Sequence, residues 1–282
     1  MSPAPFRLLP LAWHGLARCH AVADEAILAR LGLDRAGDWR EALKGQQIER
    51  SASGLVTRLE AESGPALYAK VYELRATPWE FFLRRSKAQI ESQGYAILAE
   101  LGIPTLKCRA LGERRDFGRL FEAYIVTEDA GAISDLAKFA ERQLDPLAPE
   151  ARAKLVLDLS RHLATQLKLA HAANFYHCDL KWRNLLVRRL GEGYELVWMD
   201  CPRQRSGLIA RLTARHSRIL DLSSLARRGL RHLSLSQRWR FLRLYLGDQV
   251  SMNETKALFR AVQAHLAKRP PRRPGSKEFY RV

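Results

Sequence analysis

His177–Cys178–Asp179–Leu180–Lys181–Trp182–Arg183–Asn184–Leu185–Leu186–Val187 is the stretch on which the reading of this chain turns. It follows a long amphipathic helical pattern and runs into a short β-prone segment. A second extended segment, Glu195–Leu196–Val197–Trp198–Met199–Asp200, comes next, with Gly191 and Gly193 turning the chain between the two. The second segment therefore ends in a carboxylate that lies near the first loop.

Phosphoryl transfer from ATP asks little covalent chemistry of a protein. It needs a carboxylate to orient the attacking hydroxyl and accept its proton, and oxygen donors to hold the Mg²⁺ that bridges the phosphates. A D-x-x-x-x-N spacing supplies a base and one metal ligand, and a later Asp supplies the other. Asp179 and Asn184 have that spacing, and Asp200 ends the next segment. All three offer the hard oxygens that Mg²⁺ prefers. Lys181, two residues beyond the base, can place a positive charge by the transferring group. Any one of these residues alone would be read as a turn cap or a loop residue satisfying backbone groups. The ordered set, flanked by a helix and a hairpin that ends in Asp, is the specific signal.

Working outward, the N-terminal side is strand-rich. Leu55–Leu59 and Ala66–Tyr72 read as a hairpin closed by a turn at Ser63–Gly64–Pro65. Lys87–Leu101 reads as a helix stopped by Gly102 and Pro104. Leu106–Leu111 and Leu120–Thr127 read as two more strands, closed by Glu128–Asp129 and Ala130–Gly131 as an acidic hinge. The C-terminal side is mainly helical, with patterns over Pro149–Ala173, Ile219–Leu233, Ser236–Leu246 and Asn253–Lys268. The expected organisation is α+β and bilobal: an N-terminal extension over 1–45, a small strand-rich lobe over 46–129, a larger helical lobe over 130–268, and a basic Pro/Arg-rich tail over 269–282. The extension carries helical character over Ala23–Leu33 and no evident chemistry. A nucleotide cleft between lobes suits this order.

These motifs resemble the protein-kinase-like superfamily. More closely, ALYAKVY, ELGIPTLKCRALG, HCDLKWRNLLV, VWMDCPR, ILDLSSLARRGL and RFLRLYL are similar to the lipopolysaccharide kinase family, the Kdo/WaaP and InaA-like proteins, over about residues 45–250. The resemblance implies a protein-kinase-like fold and an enzyme that phosphorylates a sugar, heptose or Kdo, of the lipopolysaccharide core at the cytoplasmic face of the inner membrane. It implies ATP and Mg²⁺ as cofactors. It makes Lys70 the lysine on the α- and β-phosphates and Glu91 its helix partner. It makes Asp179 the base, Asn184 and Asp200 the metal ligands, and Asp221 a buttress of the catalytic loop. Gly54, in Ser51–Ala52–Ser53–Gly54, sits where a glycine-rich phosphate loop is expected, and Glu128 at the hinge joins the nucleotide-binding candidates.

The departures are informative as well. Asp200 is followed by Cys201–Pro202, and proline is stiff, so a Phe-flipping switch is not expected. Cys178 replaces the arginine that in many protein kinases reads a phosphorylated activation loop, and no APE-like segment follows.

Composition bounds the rest. The chain has 282 residues, 47% hydrophobic, enough for a sizeable core. Its four cysteines form no CxxC pair, which argues against a disulfide framework and for a reducing compartment. No apolar stretch reaches the roughly 18–20 residues needed to span a bilayer. A cytoplasmic protein, peripheral on the inner membrane, is expected. The formal net charge of +17 attracts anions, including an anionic lipid surface and a lipopolysaccharide or lipid-linked acceptor. No helix-turn-helix, zinc finger or RNP-like strand accompanies that charge, so nucleic acid is not expected as a partner. Two alternatives stay open: a protein or small-molecule kinase of the same fold, and a nucleotide-binding pseudokinase.

Overall fold

The computed structural model describes residues 39–51, 54–59, 65–73, 85–116 and 119–268, with Leu31. The expected helix at Ala23–Leu33 (save Leu31), the turn at Gly64 and the tail lie outside the described residues. The chain forms two compact units. The first takes in the described residues up to Gln93 and those of Leu106–Asp129. The second takes in Gly94–Thr105 and the described residues from Ala130 to Lys268.

The first unit is a five-stranded antiparallel sheet. After a short helix α1 (Trp39–Ala42) come β1 (Gln46–Ser51), β2 (Gly54–Leu59), β3 (Leu67–Glu73), β4 (Cys108–Asp116) and β5 (Arg119–Glu128), in the order β1-β2-β3-β5-β4. β3 shows the strand period of two, with Leu67, Ala69 and Val71 buried between the less buried Tyr68 and Lys70. β5 is buried continuously from Ala123 to Thr127, as expected of a strand covered on both faces. The polar QQIERS of β1 carries no strand pattern and forms a strand because its backbone pairs with β2. Helix α2 (Lys87–Glu100) begins in this unit.

The second unit holds a three-stranded sheet, β6 (Ala132–Asp135), β7 (Leu185–Leu190) and β8 (Gly193–Trp198), ordered β6-β7-β8. Around it lie α3 (Leu136–Phe139), a π-helical turn (Ala140–Leu144), α4 (Pro149–Ala172), α5 (Gly207–Leu212), α6 (Ala214–His232), α7 (Leu235–Leu246) and α8 (Met252–Lys268). On α4, Val156, Leu159, Leu163, Leu167 and Ala170 recur at spacings of three and four and are buried. Asp135 starts α3 by accepting the amides of Ala137 and Lys138, each at 3.0 Å. Ser234 and Gln237 form a reciprocal capping box at the start of α7. β6, α3 and α5 are too short to show a period in the sequence. α6 begins five residues before the expected Ile219, because the polar ARHSR run has no apolar period. The helices leave an apolar cavity of about 110 Å³, lined by Leu163, Trp182, Leu225, Phe241, Phe259 and Val262 among others.

Candidate active site

The loop between α4 and β7 is wound tightly on its own hydrogen bonds. The amide of Lys181 donates to the Asp179 carbonyl at 2.8 Å, and the Asn184 amide to the Lys181 carbonyl at 2.9 Å. The Asn184 side chain donates its Nδ2 to the same Asp179 carbonyl at 2.9 Å. Lys181 Nζ lies 2.8 and 3.0 Å from the two carboxylate oxygens of Asp179. Three of the residues singled out in the sequence are thus gathered around one turn.

Asp200 reaches the same loop through its neighbour. Met199 donates its amide to the Asn184 carbonyl at 3.0 Å, and its own carbonyl lies 2.9 Å from His177 Nε2. His177 Nδ1 in turn accepts the Asp179 amide at 3.3 Å. His177 therefore carries its proton on Nε2 and ties the segment before Asp200 to the segment before Asp179. The amide of Asp200 donates to Tyr95 Oη at 3.1 Å. A Cβ on Gly94 would meet Cys201 Sγ at 2.4 Å, so only glycine admits this approach of α2 to the Asp200–Cys201 turn.

Asp200 and Cys178 both sit in the left-handed region, at φ 58° and 61°. This conformation is costly for a non-glycine residue and persists only where its surroundings hold it. At Cys178 the holder is Asp221, which is fully buried. Its Oδ1 accepts the Cys178 amide at 2.7 Å and its Oδ2 accepts the His177 amide at 3.0 Å. The Cys178 thiol is pushed up to about 11 by burial, with the Asp221 charge adding to it, so it stays protonated at neutral pH.

In the first unit, Lys70 on β3 lies 3.3 Å from Glu91 Oε2. Glu91 is buried and also accepts the Tyr72 hydroxyl, and Lys70 Nζ lies 4.9 Å from the centre of the Tyr72 ring. Glu100, at the end of the same helix, is exposed. Gly54 opens β2 opposite Tyr72, and a Cβ there would lie 2.3 Å from the Val71 carbonyl oxygen. Its need for glycine is thus explained by strand packing. The Glu128 carboxylate accepts Arg109 Nε at 2.8 Å in a fork between β5 and β4, which commits it to the sheet.

Sequence reasoning missed Tyr72, Tyr95 and the linking role of His177. Only the spacing of His177 to Asp179 could have pointed to one of them.

Fold and site together define a phosphotransferase of protein-kinase-like architecture. The family profile "Lipopolysaccharide kinase (Kdo/WaaP) family" matches residues 41–245, and the chain belongs to that family. Among solved structures it is similar to WaaP in complex with acyl carrier protein, with a TM-score of 0.68 at 22% identity over 88% of this chain and 98% of that one. The Rio2 kinase–ADP/Mg²⁺-phosphoaspartate complex from Chaetomium thermophilum gives a TM-score of 0.48 at 17% identity, over 90% of this chain and 82% of that one. No curated protein matches.

Proposed function

We propose that the protein transfers the γ-phosphoryl group of ATP, with Mg²⁺, to a hydroxyl of a lipopolysaccharide core sugar, heptose or Kdo, at the cytoplasmic face of the inner membrane. The observation that carries the proposal is the hydrogen-bonded turn that fixes Asp179, Lys181 and Asn184 in a chain of a lipopolysaccharide kinase family. Asp179 orients the acceptor hydroxyl and takes its proton. Lys181, held against that carboxylate, offsets negative charge developing on the transferring group. Lys70, oriented by Glu91, binds the α- and β-phosphates.

The donor set suits Mg²⁺. Asn184 is buried with its Nδ2 already committed, which leaves its carbonyl oxygen as the ligand, and Asp200 adds a carboxylate. Among the described residues no three or more His, Cys, Asp or Glu side chains gather as a metal cage, which suits an ion completed by phosphate oxygens and water. Bound there, the ion would offset the negative charge of the phosphates. Radiolabel transfer from ATP to isolated core lipopolysaccharide tests the reading. Label on the sugar is expected, and label only on protein or on small molecules would replace it with another kinase activity.

No described helix is long and apolar enough to cross a membrane. Membrane contact is instead assigned to α5. Leu208, Ile209 and Leu212 on this six-residue helix are 71%, 66% and 79% exposed. The exposed Arg203, Arg211 and Arg215 flank them. Such a patch suits shallow insertion at an anionic surface, where each arginine contributes about 1 kcal/mol. The protein is expected to co-sediment with phosphatidylglycerol vesicles. Serine at all three apolar positions should weaken partitioning by at least about tenfold. Equal binding to neutral phosphatidylcholine vesicles would remove the assignment.

WaaP was solved with acyl carrier protein, and a protein-borne acyl chain matches the chemistry of the cavity between α4 and α8. An acylated carrier protein is therefore assigned as a partner, its chain entering that cavity. Size-exclusion chromatography should retain the acylated form on this protein and release the unacylated one. Equal retention of both would rule the cavity out as the acyl site.

A further inference from the structure

A second pocket, of about 370 Å³, shares no lining residue with the Asp179–Asn184 turn; it is lined by Lys168 and His171 of α4, Tyr176, Arg218 of α6, and Tyr245 of α7. No carboxylate lines it. Arg218 Nε donates to Tyr245 Oη at 2.6 Å and its guanidinium stacks 5.0 Å from that ring, and among the described residues it has no acidic partner. Lys168 is exposed at the rim and likewise has no acidic partner there. Gly247, at φ +88°, has no side chain to obstruct it: a Cβ would lie 3.2 Å from Lys168 Nζ.

The polar groups of this pocket are ordered in one direction. Tyr245 Oη receives Arg218 Nε, and it lies 2.7 Å from His171 Nδ1. His171 Nε2 lies 3.3 Å from Asp221 Oδ2, a buried oxygen that already accepts the His177 amide. A carboxylate oxygen can only accept, so the His171 proton sits on Nε2, and Nδ1 accepts the Tyr245 hydroxyl. Burial pushes the Tyr245 hydroxyl up to about 12, which keeps that proton in place. The chain of donors thus runs from Arg218 through Tyr245 and His171 to Asp221, which holds the strained backbone at His177–Cys178.

We propose that this pocket binds a phosphate group between Lys168 and Arg218, and that the bound phosphate stiffens the catalytic loop through Tyr245, His171 and Asp221. Two cations without acidic partners among the described residues, the Tyr176 hydroxyl and no lining carboxylate form an anion site. An anion drawing on the guanidinium fixes Arg218 on Tyr245, and the order passes along the chain to the two amides that Asp221 accepts.

The test reads binding and backbone order, not catalysis, so its result stands apart from that of the transfer assay. Inorganic phosphate is titrated into the full chain, followed by thermal unfolding and by hydrogen exchange at His177 and Cys178. A parallel arm uses phosphatidylglycerol vesicles in place of free phosphate. Expected is a phosphate-dependent rise in Tm with slower exchange at those two amides, both effects weakened about tenfold in apparent affinity by Lys168→Ala and by Arg218→Gln. Lys168 is exposed, so its substitution leaves a folded protein even if Arg218→Gln does not. The same effects seen only with vesicles, and lost in Lys168→Ala, assign the phosphate to a lipid headgroup. Absence of an effect in both arms, or an undiminished one in Lys168→Ala, overturns the proposal.

Discussion

Replacing Asp179 by asparagine is expected to lower the turnover number about a thousandfold, within the range of general acid–base contributions. Asparagine matches the carboxylate in shape and still offers Lys181 an acceptor, but it cannot take the hydroxyl proton. The interaction lost belongs to the transition state, so KM for ATP should change by no more than a few fold. Stability should be nearly untouched, because the Asp179 carboxylate is 21% exposed and its pair with Lys181 is 39% exposed on the lysine side. Pairs of this kind contribute about 1 kcal/mol or less. Label transfer to core lipopolysaccharide at the wild-type rate, in a preparation free of host kinase, would remove Asp179 as the base. A large loss of affinity for ATP with turnover intact would make it a binding residue.

Asp221→Ala is expected to have the largest effect on stability. The side chain is fully buried and accepts two consecutive backbone amides as well as facing His171. Alanine leaves those buried donors without an acceptor, and each unsatisfied group costs roughly 1–3 kcal/mol. The sum is about 3–5 kcal/mol, which for a domain of this size lowers Tm by about 10 °C. Activity should fall by at least about a hundredfold even at temperatures where the variant stays folded, since the φ of 61° at Cys178 has lost what holds it and Asp179 is the next residue. Asp221→Asn restores one acceptor but turns an N–H₂ toward a second backbone donor, so it should recover less than half of the lost stability. Calorimetry of the three proteins checks the order. A wild-type Tm in Asp221→Ala would mean that the buried amides find other acceptors.

The gathering of the loop residues was legible because their spacing in the chain is short. Asp179, Lys181 and Asn184 stand within one short turn, and hydrogen bonds inside that turn draw them together. The main strands and helices were legible where their period ran long enough, as on α4 and across β3 and β5. β1, β6 and α5 were not: the polar QQIERS shows no apolar alternation, and the four residues of β6 and six of α5 span too little of a period. Gly54 was read as part of a phosphate loop, while its packing against the Val71 carbonyl comes from a strand pairing that the local sequence does not encode. Glu128 stood out as an acid at a hinge, but Arg109 on the neighbouring strand takes its carboxylate.

By itself the amino-acid order pointed to the kinase family, through motifs whose residue types and spacing local sequence records. It also determined the helical and stranded halves, through apolar periodicity. The tertiary structure alone decided which groups hold the active ones in place. Asp221 grips the amides of His177 and Cys178, His177 joins Asp179 to Met199, and Tyr72 shares Glu91 with Lys70. Most of these partners lie 19 to 44 residues apart in the chain. Over such distances pairing is set by how helices and sheets pack, and no local pattern records it.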